Sequence, residues 1–345
     1  MPERDISLSN KPNTKDCMVP DDALADSILA GPAGEQLRAA LLETYYKNSD
    51  PGPSDLEIHD HVQGRFDVCR DWFVPWLQRH IDLGETNILE IGCGTGSTTA
   101  ALALAARSIN AYDIDGKSVD AATRRMEIMQ IGNARLHALP FAEILGEIRS
   151  LQGIDCAIMF AVLEHQKYPE RLATLRACWD ALRPGGLLVV ADTPSRLTWT
   201  DYHTSLLPFF NALPDEIALD YADRSPRQDF RDAIAASRDI SDAEAYEMLS
   251  CLGRGISYHE FEIALGNVDN YIVGDGFDPE PLRYFGVSLE TRLLYTYAKR
   301  KHLRISPAFL RDTIEIILRK PGAIPAKVGK RSLAETEAII RPLEA

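Results

Sequence analysis

From about residue 85 onward, short apolar runs alternate with amphipathic stretches in a steady rhythm. "NILEIG" (87–92) has the length and composition of a buried strand, and "STTAALALAARS" after it reads as a helix. The alternation repeats with "INAYDID" and "GKSVDAATRRMEIMQ", then with "IDCAIMFAV" and "PERLATLRACWDAL". The turn "RPGG" and the strand "LLVVAD" close the series. Strands that are apolar throughout and separated by helices belong to a parallel sheet covered on both faces. The expected fold class is therefore α/β, a doubly wound, mostly parallel sheet.

The pattern changes on either side. Residues 1–20 are polar and read as a flexible arm. Residues 21–84 form an N-terminal helical segment, broken at Gly31-Pro32 and by the loop "SDPGPSD" before "VCRDWFVPWLQRHI". Residues 85–194 make up the ligand-binding core. Residues 195–305 turn polar, aromatic-rich and helical, and are expected to be a cap inserted over the strand ends, where ligands bind in such sheets. Within this cap, Ser257 and Glu260 have capping-box spacing. Residues 306–345 are expected to supply a late strand, "TIEIILRK" (313–320), and a C-terminal tail.

Composition narrows the partners. Apolar residues make up 45% and charged residues 26%, as in an ordinary soluble protein. With 37 basic and 51 acidic residues the net charge is −14, which a nucleic-acid backbone would repel, so no nucleic-acid partner is expected. "KRKHLR" (299–304) reads as the basic end of a helix. The apolar run "CAIMFAVL" is too short to span a bilayer, and the N-terminal residues have no apolar signal core, so no membrane association is expected. Six cysteines (17, 69, 93, 156, 178 and 251) lack paired metal spacing; they read as reduced thiols in a cytoplasmic protein. No metal is expected, and "HDH" (59–61) reads as two surface histidines on a loop.

The chemistry concentrates at the first strand-to-helix turn. Gly92, Gly94 and Gly96 let the backbone approach a bulky ligand closely. A dinucleotide turn needs a different spacing and places a pyrophosphate at the helix start, whereas here Glu90 ends the strand just before the turn. A carboxylate there suits an ammonium or sulfonium group. About twenty residues on, Asp113 ends the next strand, at the distance expected of an acid that accepts ribose hydroxyls. A nucleoside with a cationic, amino-acid-like end and no phosphate is S-adenosylmethionine. Cys93, inside the turn, reads as a small packing residue.

"LEIGCGTG", "YDID", "VLEHQKYPERL" and "LRPGGLLVVADTP" follow in the order and spacing of class I S-adenosylmethionine-dependent methyltransferases, which this chain resembles over roughly residues 85–195. The fit is with the small-molecule branch that has "LEH" after the fourth strand. The resemblance implies a Rossmann-like methyltransferase fold, S-adenosylmethionine as cofactor and S-adenosylhomocysteine as product. It implies that Glu90, Gly92, Cys93, Gly94 and Gly96 hold the methionine end, that Asp113 and Ile114 hold the nucleoside, and that Phe160 lines the pocket beside the methyl group. It also implies an acid after the third strand; "RLHALPF" (135–141) has none, which leaves the adenine to backbone groups, His137 or Phe141.

Methyl transfer requires an aligned acceptor and, for a hydroxyl or amine, removal of a proton. Side chains after the fourth and fifth strands are the candidates: His165 as general base, or His203 paired with Asp201, with Asp192, Trp199 and Tyr202 binding the acceptor. The acceptor is expected to be a small molecule methylated on oxygen, with nitrogen, carbon and sulfur open. The N-terminal helices close the pocket or pair two subunits as a homodimer. Two other readings keep the cofactor: an enzyme with a non-methyl outcome, and a non-catalytic cofactor-binding protein.

Overall fold

The computed structural model describes residues 31–49, 52–252, 254–322 and 333–340. The expected arm (1–20), the beginning of the first helical stretch and the last tail residues lie outside them. Seven strands form one sheet in the order β3-β2-β1-β4-β5-β7-β6. They are β1 (Asn87–Ile91), β2 (Ser108–Asp113), β3 (Ala134–Ala138), β4 (Ile154–Phe160), β5 (Leu182–Pro194), β6 (Ile272–Asp275) and β7 (Thr313–Arg319). Strands β1 to β5 are parallel; β7 runs antiparallel to both β5 and β6.

Alternation along each strand divides the core into two layers. Ile88, Cys156, Ile158, Leu187 and Val189 pack against the N-terminal helices, with Phe66, Phe73 and Trp76 on that side. Leu89, Ile91, Ala157, Met159, Leu188 and Val190 face the opposite layer, which holds Leu175, Cys178 and Phe261. Both faces are buried, which is why these strands read as unbroken apolar runs. The cap has its own small core around Phe210, Leu219, Phe230, Ile234 and Leu249.

The boundaries of the expected insertion need correcting. Residues 195–305 are not all cap, because β6 lies among them and forms an edge of the sheet. The expected late strand is β7, and the Ser257–Glu260 capping box is formed at the helix Tyr258–Leu265.

His59 and His61 do not lie on a loop. A helical run from Asp55 to Gln78 contains both, with π turns at Asp60–Gly64 and Cys69–Phe73. His59 is exposed, but His61 is buried, its Nδ1 3.1 Å from the Thr95 hydroxyl and its ring 5.1 Å from Tyr45. Burial lowers its pKa to about 4, so it is neutral. Among the described residues, no helix is long and apolar enough to cross a membrane.

Candidate active site

A cavity of about 1090 Å³ opens over the C-terminal ends of the parallel strands. Pockets for single small ligands span roughly 300–1,000 Å³, so a cavity above that range has room for two small molecules side by side. The glycine turn forms one end. The Gly92 and Cys93 amides donate to the Tyr112 carbonyl at 2.7 and 3.2 Å, and the Gly94 amide donates to Asp113 Oδ2 at 2.8 Å. Asp113 Oδ1 accepts from the Asp115 amide at 2.9 Å. Asp113 thus braces the turn while keeping lone pairs for a ligand in the cavity it lines.

Two glycines matter for different reasons. Gly92 has φ +75°, and a Cβ there would lie 2.4 Å from Val162 Cγ2. Gly94 has φ +50°, and a Cβ there would meet nothing within 4 Å, because the cavity begins at that point. Ile114 is 68% exposed and offers its side chain to the cavity floor. Phe141 also lines the cavity. His137 does not; it stacks on Tyr112 with ring centroids 4.8 Å apart. Of the two side chains suggested for the adenine, only Phe141 has access.

Glu90 is buried beneath this wall rather than in it, and neither carboxylate oxygen has a hydrogen-bond partner. Burial raises its pKa to about 7; Thr99 opposes the shift and the Asp113 charge adds to it. A buried carboxylate left without a proton donor is costly unless a cation comes close. Gly96 does not line the cavity; a Cβ there would lie 2.8 Å from Ala122 Cβ.

The opposite end is built from β4, β5 and the cap. Phe160 ends β4 and meets Phe73 edge-on at 4.9 Å. Trp72 stacks on Tyr284 at 5.7 Å, and Tyr284 and Phe285 close that side. Asp192, at φ 52°, adopts a left-handed backbone uncommon for a non-glycine residue, and such strain concentrates at functional sites. Burial raises its pKa to about 7, with Glu315 adding to the shift and Arg65 opposing it. Glu164 is fully buried, and burial raises its pKa to about 8. His165 reaches the cavity with its Nδ1 3.2 Å from the Cys251 carbonyl; crowding by protein lowers its pKa.

Residues 89–188, from β1 into β5, match the family model described as a methyltransferase domain. The chain carries an S-adenosylmethionine-dependent methyltransferase domain. It is 26% identical over 224 residues to a tRNA (guanine-N(7)-)-methyltransferase of Bordetella parapertussis, covering 58% of this chain and 85% of that protein. It is also 26% identical over 155 residues to a ubiquinone biosynthesis O-methyltransferase of Ralstonia nicotianae, covering 42% of this chain and 62% of that one. Among solved structures, magnesium protoporphyrin IX methyltransferase from Synechocystis with bound S-adenosylmethionine is 20% identical, with a TM-score of 0.35; the match covers 48% of this chain and 79% of that one.

The features of the cavity suit the methyltransferase's donor. The unpartnered Glu90 oxygens favour a cationic ligand, the open space at Gly94 admits its backbone-hugging end, and Asp113 has lone pairs left for hydroxyls. Gly92, Cys93, Gly94, Asp113, Ile114 and Phe160 line the one cavity together; Glu90 and Gly96 are not among its lining residues. Cys93 is buried, and burial pushes its thiol pKa well up, as for a packing residue.

The expected acceptor-side residues divide. His165, Asp192, Asp201, Tyr202 and His203 line the cavity; Trp199 faces a separate hollow of about 510 Å³ near Phe209 and His259. Asp201 is buried and directs Oδ1 to the Thr204 amide (3.0 Å) and Oδ2 to the Ser205 amide and hydroxyl (both 2.8 Å). These bonds shape the turn that carries His203. The His203 ring faces His165, centroids 5.8 Å apart. Sequence reasoning missed Asp60, Arg65, Tyr284 and Phe285, which reach the cavity from helices outside the matched domain. The acid–base pair at 60 and 65, linked at 2.8 Å, is the one signal that could have pointed to them.

Proposed function

We propose that the enzyme methylates a small organic molecule on oxygen, held between the donor and the cap. The observation that carries this reading is the cavity itself, large enough for donor and acceptor together and roofed by cap residues such as Tyr202 and His203. The net charge of −14 supports a small acceptor over tRNA, whose backbone such a chain repels. The ubiquinone O-methyltransferase relatives favour oxygen as the acceptor atom.

When bound, the donor supplies a methyl group already activated on sulfonium sulfur. The chain aligns the acceptor and takes its proton. We assign the proton to Asp192, a cavity-lining carboxylate at the end of β5 that burial makes basic enough to accept one near neutral pH. Phe160 and Tyr284 give the acceptor space apolar walls. The test is transfer of labelled methyl from S-adenosylmethionine to sets of phenols, carboxylic acids, amines and thiols, with bulk tRNA in parallel. Label in a phenol or acid is expected. Label in tRNA alone, or donor turnover without methyl transfer, overturns the reading.

A further inference from the structure

We infer that Glu164, His165 and His203 form a binding site for a single divalent transition-metal ion at the acceptor end of the cavity. One ligand atom from each lies within 4.8 Å of the other two, although His203 is remote in sequence from the Glu164-His165 pair. The set is one carboxylate and two imidazoles, which binds zinc while leaving coordination positions open.

The details favour coordination over a merely structural role. Glu164 is fully buried, yet its Oε1 has no hydrogen-bond partner. Its Oε2 accepts from the Thr193 hydroxyl at 3.3 Å, which fixes the carboxylate plane. The nearby buried guanidinium of Arg171 does not satisfy Oε1: it donates to the carbonyls of Gln166, Gly255, Glu164, Ser250 and Arg254 and pairs with Glu260. In His165, Nδ1 faces the Cys251 carbonyl, which can only accept, so Nδ1 carries the proton. Nε2 then holds the lone pair, 4.0 Å from Glu164 Oε1. A backbone carbonyl that fixes the tautomer in this way is the usual support of a metal-bound histidine. Ligands about 2.1 Å from a tetrahedral ion stand roughly 3.4 Å apart, so small side-chain rotations, chiefly of the exposed His203, close the site.

An ion here would have its open positions toward the acceptor. A hydroxyl coordinated there would lose its proton more readily. That role rests on the oxygen-acceptor reading above; the binding site does not.

The test uses the full chain stripped of metal with a chelator and titrated with Zn²⁺ by calorimetry and with Co²⁺ by visible absorption. One ion per chain is expected, without a thiolate charge-transfer band. His203→Asn and Glu164→Gln are each expected to weaken binding at least about tenfold, the low end of what even losing a supporting hydrogen bond costs. His203 is exposed, so its variant decides the matter if the Glu164 variant does not fold. Absence of binding to the wild type, or unchanged binding by folded His203→Asn, overturns the site. Labelled-methyl transfer in the same preparations is read separately: transfer without metal binding removes the metal site and leaves the acceptor reading standing, and binding without transfer does the reverse.

Discussion

The buried guanidinium of Arg125 donates to the Thr95 carbonyl in the glycine turn at 3.0 Å. It also donates to the carbonyls of Val62, at 3.0 Å, and His61 in the N-terminal helix. One side chain therefore fastens a helix outside the matched domain to the glycine turn. Burial lowers the Arg125 pKa to about 10, so the charge persists at neutral pH.

Replacing Arg125 with Met takes a charged donor from the carbonyls of Thr95, Val62 and His61, of which only that of His61 keeps another side-chain donor, the Ser97 hydroxyl. Unsatisfied buried groups cost about 1–3 kcal/mol each, with some relief from water. The expected loss is about 2–5 kcal/mol in denaturant unfolding, together with weaker S-adenosylmethionine binding as the turn loosens. A loss below about 1 kcal/mol with unchanged binding would mean the clamp does not organise the turn.

Glu90 is expected to make donor binding pH-dependent. Its pKa of about 7 in the folded, ligand-free protein lies above its ordinary value. A cation binds best over the ionised carboxylate, so S-adenosylmethionine affinity should rise as pH increases through 7. Stability of the free protein moves the opposite way. A carboxyl whose pKa is raised by folding contributes stability that is fully present below its ordinary pKa and is lost as pH rises toward 7. In Glu90→Gln the affinity trend should flatten, and the stability trend should shrink without vanishing, because Asp192 and Glu164 are shifted in the same direction. Calorimetry and thermal melts from pH 5 to 8 check them, and an affinity independent of pH in the wild type speaks against a role for Glu90.

The two glycines should fail differently. Gly92→Ala drives a methyl group into Val162 at a positive φ, so reduced stability is expected along with lost binding. Gly94→Ala meets no neighbour and costs only the roughly 1–2 kcal/mol of its left-handed backbone, but fills donor space. A folded Gly94→Ala protein with much reduced donor affinity is the expected result; normal affinity would place the donor elsewhere.

Asp192→Asn keeps the shape and removes the base. A drop of about 10²–10⁴-fold in kcat is expected, with donor affinity nearly unchanged. Equal kcat in the two proteins would give the proton to another group.

The central strands were legible because burial on both faces writes them as continuous apolar runs, and the glycine turn because its backbone needs a residue that accepts positive φ. Strand β3, "ARLHA", is only partly buried at the sheet edge and is legible only through the resemblance. Strand β6 has four residues, one a glycine, and sits among helical stretches, so its residues read as part of the helical cap. The metal-like group and the Arg125 clamp depend on residues 30 or more positions apart, and local pattern has no access to such pairings. Trp199 follows β5 closely enough in sequence to suggest the cavity, but the cap turns it toward another hollow.

The most direct test is calorimetric titration of S-adenosylmethionine and S-adenosylhomocysteine, with NAD as control, into the wild type and Asp113→Ala. Asp113 both braces the Gly94 amide and faces the ligand space. Binding of the first two ligands but not NAD, lost or weakened at least about tenfold when the brace and its charged hydrogen bonds go, is the predicted result. Equal binding by the folded Asp113→Ala protein, or binding of NAD in preference, would contradict the donor site described for the Gly92–Gly96 turn.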